Sequence, residues 1–158
     1  MAEKIIQNLE GVSETLLMTL YARAHESQRP DAMLKDDKAV AIVQQLAGDF
    51  SRLRMQRHDE IAVIMRMRKF DKHANDFLAR NPNGIVVHIG CGLDTRFERV
   101  AERNGQVEWF DLDMPDVIKL RQKLIKNESK RYHTLATSVF DDGWISEVSQ
   151  YKPRPFLF

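Results

Sequence analysis

The chain has 158 residues, enough for a real hydrophobic core, and its 43% hydrophobic and 30% charged residues are ordinary for a globular protein. A formal net charge of +1 lacks the basic surplus of nucleic-acid-binding proteins, and one cysteine permits no internal disulfide, which suits a reducing, cytoplasmic location. The start of the chain contains Glu3, Glu10 and Glu14, which argues against a signal peptide or a spanning helix there. From the net charge and these glutamates together, we expect neither nucleic acid nor a membrane as a partner.

The first part of the chain predicts helices and almost no strand. Apolar residues recur at helical spacing from Val12, and Pro30 ends that first helix. A second helix is expected from Asp36 or Asp37 to Leu46, stopped by Gly48, and a third over residues 59–79. We therefore expect residues 1–80 to form an N-terminal helical region.

From residue 85 the pattern changes to strands that alternate with helices. The predicted strands cover residues 85–89, 107–112, 132–136 and 155–158. The predicted helices cover residues 95–103, 115–127 and 143–150. This alternation predicts an α/β domain over residues 81–158, with a parallel sheet and helices on both faces.

The predicted strand over residues 85–89 leads into the turn Gly90-Cys91-Gly92. Glycine lacks a Cβ, so the turn can adopt positive φ and allow a ligand close to its backbone. Thr95 and Glu98 have the spacing of a capping box, which predicts that backbone N–H groups at the next helix start face the ligand. A strand, a glycine turn and a capped helix are typical of a nucleotide-like cofactor site.

Asp113 ends the next predicted strand, a little over twenty residues after the glycine turn. A carboxylate at this position accepts hydrogen bonds from ribose hydroxyls in dinucleotide-binding folds. The alternative is that Asp111, Asp113 and Asp116 only cap the helix that begins near Pro115. We expect Asp116 or Asp113 to be the cap, with Asp113 also binding ribose.

The position of the third fingerprint glycine is occupied by Thr95, and Asp94 lies beside it. A nicotinamide dinucleotide needs that glycine for close packing, and an acidic loop disfavours its pyrophosphate. S-adenosylmethionine has no phosphates and carries a sulfonium cation. The pattern therefore favours methyl transfer, and a nicotinamide oxidoreductase is the alternative from another reaction class.

Two strings in these regions resemble the signature blocks of the leucine carboxyl methyltransferase family. They run over residues 90–99 and 109–118, and residues 13–24, 34–40 and 137–145 resemble further blocks of the branch containing tetracenomycin-type polyketide O-methyltransferases. The resemblance implies a partial Rossmann-like class I methyltransferase sheet that binds S-adenosylmethionine. It also implies in-line methyl transfer to an oxygen of a small-molecule acceptor, either polyketide-like or a carboxylate.

The same resemblance implies roles for individual residues. The cofactor-binding residues are expected to be Arg66, which would grip the cofactor's carboxylate, and Gly90, Cys91, Gly92, Asp113, Ser138 and Val139. Ser138 and Val139 would border the adenine, and Tyr21 and Arg23 lie where the family's N-terminal segment covers the cofactor. The alternative for Arg66, Tyr21 and Arg23 is an exposed helix face.

Histidines in this sequence show no metal-ligand spacing, so we predict no metal. His88 alternates into a buried strand and is expected to be a hydrogen-bonded core residue rather than a base. No residue is assigned as catalytic. The resembling enzymes continue well beyond the strand predicted at residues 155–158, so the chain is expected to match their first half. The alternative function is a non-catalytic, cofactor-binding or self-associating fragment. Such a fragment is expected to form a homodimer through its exposed sheet edge, or to aggregate, unless a partner covers that edge.

Overall fold

A computed structural model describes residues 14–46, 53, 55–102 and 105–158. Val12 and Gly48, which the sequence assigned to helix ends, lie outside these ranges. The described chain divides into two compact units. Unit 1 contains the residues up to Lys69 together with Leu93–Thr95, and unit 2 contains Phe70–Gly92 and Arg96–Phe158.

The helices of the N-terminal region follow the predicted order. They are α1 (Glu14–Ser27), α2 (Asp37–Gln45) and α3 (Arg57–Arg80), and the last residues of α3 belong to unit 2. Asp36 begins α2 by accepting the Ala39 backbone N–H at 2.9 Å, which satisfies one donor of the helix start. In unit 1, Leu34, Ile64 and Met67 form a buried apolar cluster. The described part of this region thus contains the three helices that the sequence predicts.

Unit 2 contains a four-stranded parallel sheet. Its strands are β1 (Ile85–Ile89), β2 (Glu108–Asp113), β3 (Tyr132–Ala136) and β4 (Phe156–Leu157), in the order β3-β2-β1-β4. This is the order of the first strands of a Rossmann sheet, so the predicted partial Rossmann-like α/β fold is confirmed. Helices α4 (Pro115–Leu124) and α5 (Gly143–Ser149) follow β2 and β3.

Both faces of the sheet are buried, as expected for parallel strands. Val86 and Trp109 belong to one apolar cluster together with Ala74 and Leu78 of α3. Neighbouring strand residues, including Val87, belong to a second cluster that α5 covers. The β-branched run of β1 therefore fills the core on both sides and leaves its carboxyl end for other roles.

Two predicted helix starts are wrong in detail. The helix predicted over residues 95–103 is instead a π-helical turn, Phe97–Ala101. Its N-cap is Arg96, which makes no side-chain cap hydrogen bond. The capping box of Thr95 and Glu98 is therefore wrong. Helix α4 likewise has Met114 as its N-cap without a side-chain hydrogen bond, and Pro115 follows in the first turn, a position that suits proline. Asp116 or Asp113 was expected to be that cap, and neither serves as one.

Candidate functional site

The glycine turn follows β1 at the carboxyl edge of the sheet. Gly90 and Gly92 have φ of 65° and 52°, and they are the only residues with positive φ in the described ranges. The N–H groups of Gly90 and Cys91 both donate to the Leu112 carbonyl of β2, at 2.8 and 3.2 Å. A Cβ added at Gly90 would meet nothing within 4 Å. The turn is thus tied to the sheet while its backbone borders open space.

Asp113 lies directly beside this turn. One of its carboxylate oxygens accepts the Gly92 N–H at 2.8 Å, and the other accepts the Met114 N–H at 2.8 Å. Each oxygen keeps a further acceptor site, because an ionised carboxylate has about four. The half-buried carboxylate is therefore held in a fixed position and remains able to accept hydrogen bonds from a ligand.

Ser138 and Val139 follow β3, whose carboxyl end lies at the same edge of the sheet. The Ser138 hydroxyl accepts the Phe140 N–H at 3.2 Å, and the Val139 carbonyl accepts the indole N–H of Trp144 at 3.1 Å. Exposed apolar side chains lie at the strand ends or shortly after them: Ile89, Met114, Val139 and Phe140. Phe140 is 92% exposed. The edge thus combines polar anchors with apolar surface, which suits a flat heterocyclic ligand.

Asp111 has a different role from Asp113, although both lie on β2. It is 0% exposed, and it accepts hydrogen bonds from Trp109 Nε1 at 2.9 Å, His88 Nδ1 at 3.1 Å and the Tyr132 hydroxyl at 2.6 Å. It also pairs with Arg121. Burial alone would raise the pKa of the Asp111 carboxyl, but Arg121 and His88 outweigh burial and lower it. Asp111 is therefore an ionised core residue that no ligand reaches.

Arg121 connects this buried carboxylate to the glycine turn, a function that the sequence did not predict. Its guanidinium donates to the Gly92 carbonyl at 2.9 Å and to the Tyr132 hydroxyl at 2.8 Å, besides pairing with Asp111. A signal was available, because Ile118 and Leu124, three residues to either side, mark the buried face of α4. A charged residue on such a face requires a buried partner.

His88 is a core histidine, as expected. Its Nε2 lies 2.8 Å from Arg96 NH1, and arginine can only donate, so Nε2 is the acceptor. The ring proton is therefore on Nδ1 and is donated to Asp111. Since Arg96 also donates to Asp71 at 2.9 Å, His88 is one member of a continuous charged network and is not available as a base.

In unit 1, Arg23 is buried rather than exposed. It is 1% exposed, and it donates to Asp36 at 2.9 Å and to the Leu93 carbonyl at 2.7 Å. The hydroxyl of Thr95 lies 2.7 and 2.6 Å from the two oxygens of Asp36. The interpretation of Arg23 as part of an exposed helix face is wrong, because this arginine and Asp36 bind the segment that follows the glycine turn. Tyr21 is half-buried and stacks on His25.

Arg66 is an exposed residue of α3 in unit 1, and its side chain bonds to none of the residues that the structure describes. The other six predicted cofactor residues belong to unit 2, where they lie at the carboxyl ends of β1, β2 and β3. Cys91 among them is buried. Within the described ranges, no group of side chains is arranged to hold a metal ion, and no helix is long and apolar enough to cross a membrane.

Comparison with known proteins gives a consistent result. Residues 16–143 match the family model described as leucine carboxyl methyltransferase. The chain is 41% identical over 145 residues to the tetracenomycin polyketide synthesis O-methyltransferase TcmP of Streptomyces glaucescens, covering 92% of this chain and 53% of that protein. It is 32% identical over 160 residues to the S-adenosyl-L-methionine-dependent methyltransferase dpfgK of Gibberella zeae, covering 94% of this chain and 54% of that protein. The chain thus spans about half the length of these curated relatives.

Proposed function

The chain belongs to the leucine carboxyl methyltransferase family, and we propose that it forms the cofactor-binding part of an S-adenosylmethionine-dependent O-methyltransferase. The names of two relatives support this proposal, since both are methyltransferases and TcmP is an O-methyltransferase. Following the names of TcmP and of the family, the acceptor would be a small molecule with a polyketide-like or a carboxylate oxygen, to which the methyl group is transferred in line.

The observation that carries the proposal is the pairing of Asp113 with the glycine turn. Its carboxylate is fixed by the N–H groups of Gly92 and Met114 at the carboxyl end of parallel strands. This edge is where ligands bind in open α/β sheets, and a carboxylate there suits two ribose hydroxyls. The open space at Gly90 is compatible with close approach of such a ligand.

The surroundings of the turn fit S-adenosylmethionine better than a dinucleotide. Thr95 replaces the third glycine and its hydroxyl is engaged by Asp36, while the next turn is a π-helical segment of five residues. A pyrophosphate would therefore lack the extended helix start that normally binds it. S-adenosylmethionine, when bound, would supply a methyl group activated by its sulfonium.

The remaining residues have proposed roles in binding and orientation. Val139 and its exposed apolar neighbours would pack against the adenine, and Ser138 would bond to it. Arg66 would bind the carboxylate of the methionine end, for which an exposed guanidinium suits. Gly90, Cys91 and Gly92 would contribute backbone contacts. The sequence has a single cysteine and so permits no internal disulfide, which suits the reducing cytoplasm that we propose as the location.

Calorimetric titration of the chain with S-adenosylhomocysteine, in parallel with NADH, tests the cofactor assignment. We expect S-adenosylhomocysteine to bind and NADH to give no heat. Tighter binding of NADH would instead favour an oxidoreductase. Binding of S-adenosylhomocysteine without methyl transfer to any acceptor tried would support the alternative of a non-catalytic, cofactor-binding fragment.

Self-association is a second proposal, supported by the edge strand β4. It pairs with β1 through Phe156 and Leu157 and is the last strand in the sheet order. Phe158 follows it, is 68% exposed and stacks on Phe156. An apolar edge strand of this kind is a template for pairing, so we propose a homodimer through this edge. Light scattering should give twice the chain mass, and a monodisperse monomer would contradict the proposal.

A further inference from the structure

The peptide groups on either side of Gly92 are held by two polar partners, a carboxylate of β2 and an arginine of α4 that is paired with β2. The Gly92 N–H donates to Asp113 at 2.8 Å, and its carbonyl accepts from Arg121 at 2.9 Å. Asp113 ends β2, and Asp111, two residues earlier on the same strand, pairs with Arg121. Glycine has the largest conformational freedom of any residue, so these two bonds restrict the conformation that the backbone adopts at Gly92.

Arg121 is fixed before it reaches the turn. It is 1% exposed, and each of its three guanidinium nitrogens has a partner: Tyr132, Gly92 and Asp111. Asp111 cannot swing away, because Trp109 and His88 also donate to it. Burial would lower the pKa of Arg121, but Asp111 outweighs it and raises the pKa, so the guanidinium keeps its charge. A planar, charged fork with all its nitrogens bonded has one orientation.

We propose that Arg121, anchored by Asp111, is a positioning residue that fixes the Gly92 carbonyl and thereby holds the glycine turn in its binding conformation before any ligand arrives. The identity of that ligand rests on the proposed function, whereas the positioning is a property of the ligand-free chain. A turn ordered in advance loses less conformational entropy on binding, so the pair strengthens affinity without touching the ligand.

Arg121→Met tests the proposal, with Arg154→Met as the matched control. Arg154 also donates to backbone carbonyls, those of Asn83 and Gln106, but these precede β1 and β2 at the opposite end of the strands. The measurement is amide hydrogen exchange in the ligand-free chain. It compares the amides of Gly90, Cys91 and Gly92 with that of Val87 in the core of β1.

In Arg121→Met, the three turn amides should exchange about ten- to a hundredfold faster relative to Val87, which is the effect of losing a charged hydrogen bond. In Arg154→Met the ratio of turn-amide exchange to Val87 exchange should stay as in the native chain. The proposal is overturned if Arg121→Met speeds the exchange of the turn amides and of the Val87 amide equally. The arginine would then contribute only to the stability of the whole unit.

Two milder variants keep the test decisive if Arg121→Met does not fold. Tyr132→Phe removes only the hydroxyl, which accepts from Arg121 Nε and donates to Asp111. Arg121→Lys keeps the positive charge but lacks the planar guanidinium. Both variants should raise the exchange of the turn amides relative to that of Val87, and an unchanged exchange ratio in both would overturn the proposal. S-adenosylhomocysteine should bind about tenfold or more weakly to the Arg121 variants than to the native chain. If the native chain binds none, the proposed function fails, while the exchange ratios still decide the positioning role.

Discussion

Replacing Thr95 with valine removes one buried hydroxyl and keeps the shape of the side chain. The hydroxyl lies 2.7 and 2.6 Å from the two oxygens of Asp36, and both residues are buried. A hydrogen bond to a charged group contributes about 1.5–3 kcal/mol. Asp36 keeps its bonds to Arg23 and to the Ala39 N–H, so its carboxylate remains partnered in the variant. We expect Thr95→Val to lower the free energy of unfolding by about 2 kcal/mol.

Thr137→Val is the matched control. Thr137 also donates its hydroxyl to an aspartate, Asp141, at 2.9 Å, but that pair is exposed to solvent. Surface substitutions of this kind change stability by less than about 0.5 kcal/mol. The assay is urea denaturation followed by far-UV circular dichroism. An equal decrease in the free energy of unfolding of the two variants would refute the reasoning, because burial of the Thr95 and Asp36 pair would then have no energetic effect.

Two further predictions concern stability in unit 2. Glu98 is largely buried with one oxygen lacking a hydrogen-bond partner among the described residues, and burial raises its pKa. The folded chain therefore loses stability as pH rises from the ordinary glutamate pKa of 4.5 through that raised pKa. Glu98→Gln should be more stable than the native chain at neutral pH, but not below pH 4.5. Thermal melts of both proteins across this pH range measure the difference. A lack of pH dependence in the difference would contradict this. Gly90→Ala should cost about 1–2 kcal/mol, because φ is 65° and the added Cβ has free space, so only backbone strain acts. Gly105→Ala, also in open space but without positive φ, should be close to neutral in the same denaturation assay, and equal costs would exclude backbone strain as the cause.

Local patterns predicted most of the sheet and the position of the candidate site. The β-branched run of β1 and the following glycines have physical requirements that few other structures satisfy: burial on both faces, then positive φ. The spacing from the turn to Asp113 then follows from a strand–helix–strand unit in which the second strand pairs directly with the first.

Long-range polar partners could not be predicted in the same way. Thr95 has the local spacing of a capping box, but its hydroxyl is satisfied by Asp36, 59 residues earlier in the chain. Arg121 bonds to the Gly92 carbonyl, 29 residues before it. Asp111 and Asp113 are both aspartates of β2 in the sequence, and only the structure shows that Asp111 is the fully buried one. A sequence pattern records which residues have polar side chains to satisfy, and only the fold determines which partner satisfies each one.

The measurement that tests the account most directly is a titration of S-adenosylhomocysteine into Asp113→Ala, Asp116→Ala and the native chain. Asp113 is held beside Gly92, whereas Asp116 is an exposed acidic residue in the first turn of α4. We predict that Asp113→Ala weakens binding about ten- to a hundredfold, and that Asp116→Ala binds as the native chain does. Equal affinity of all three proteins would contradict the assignment of Asp113 and of the glycine turn as the cofactor site.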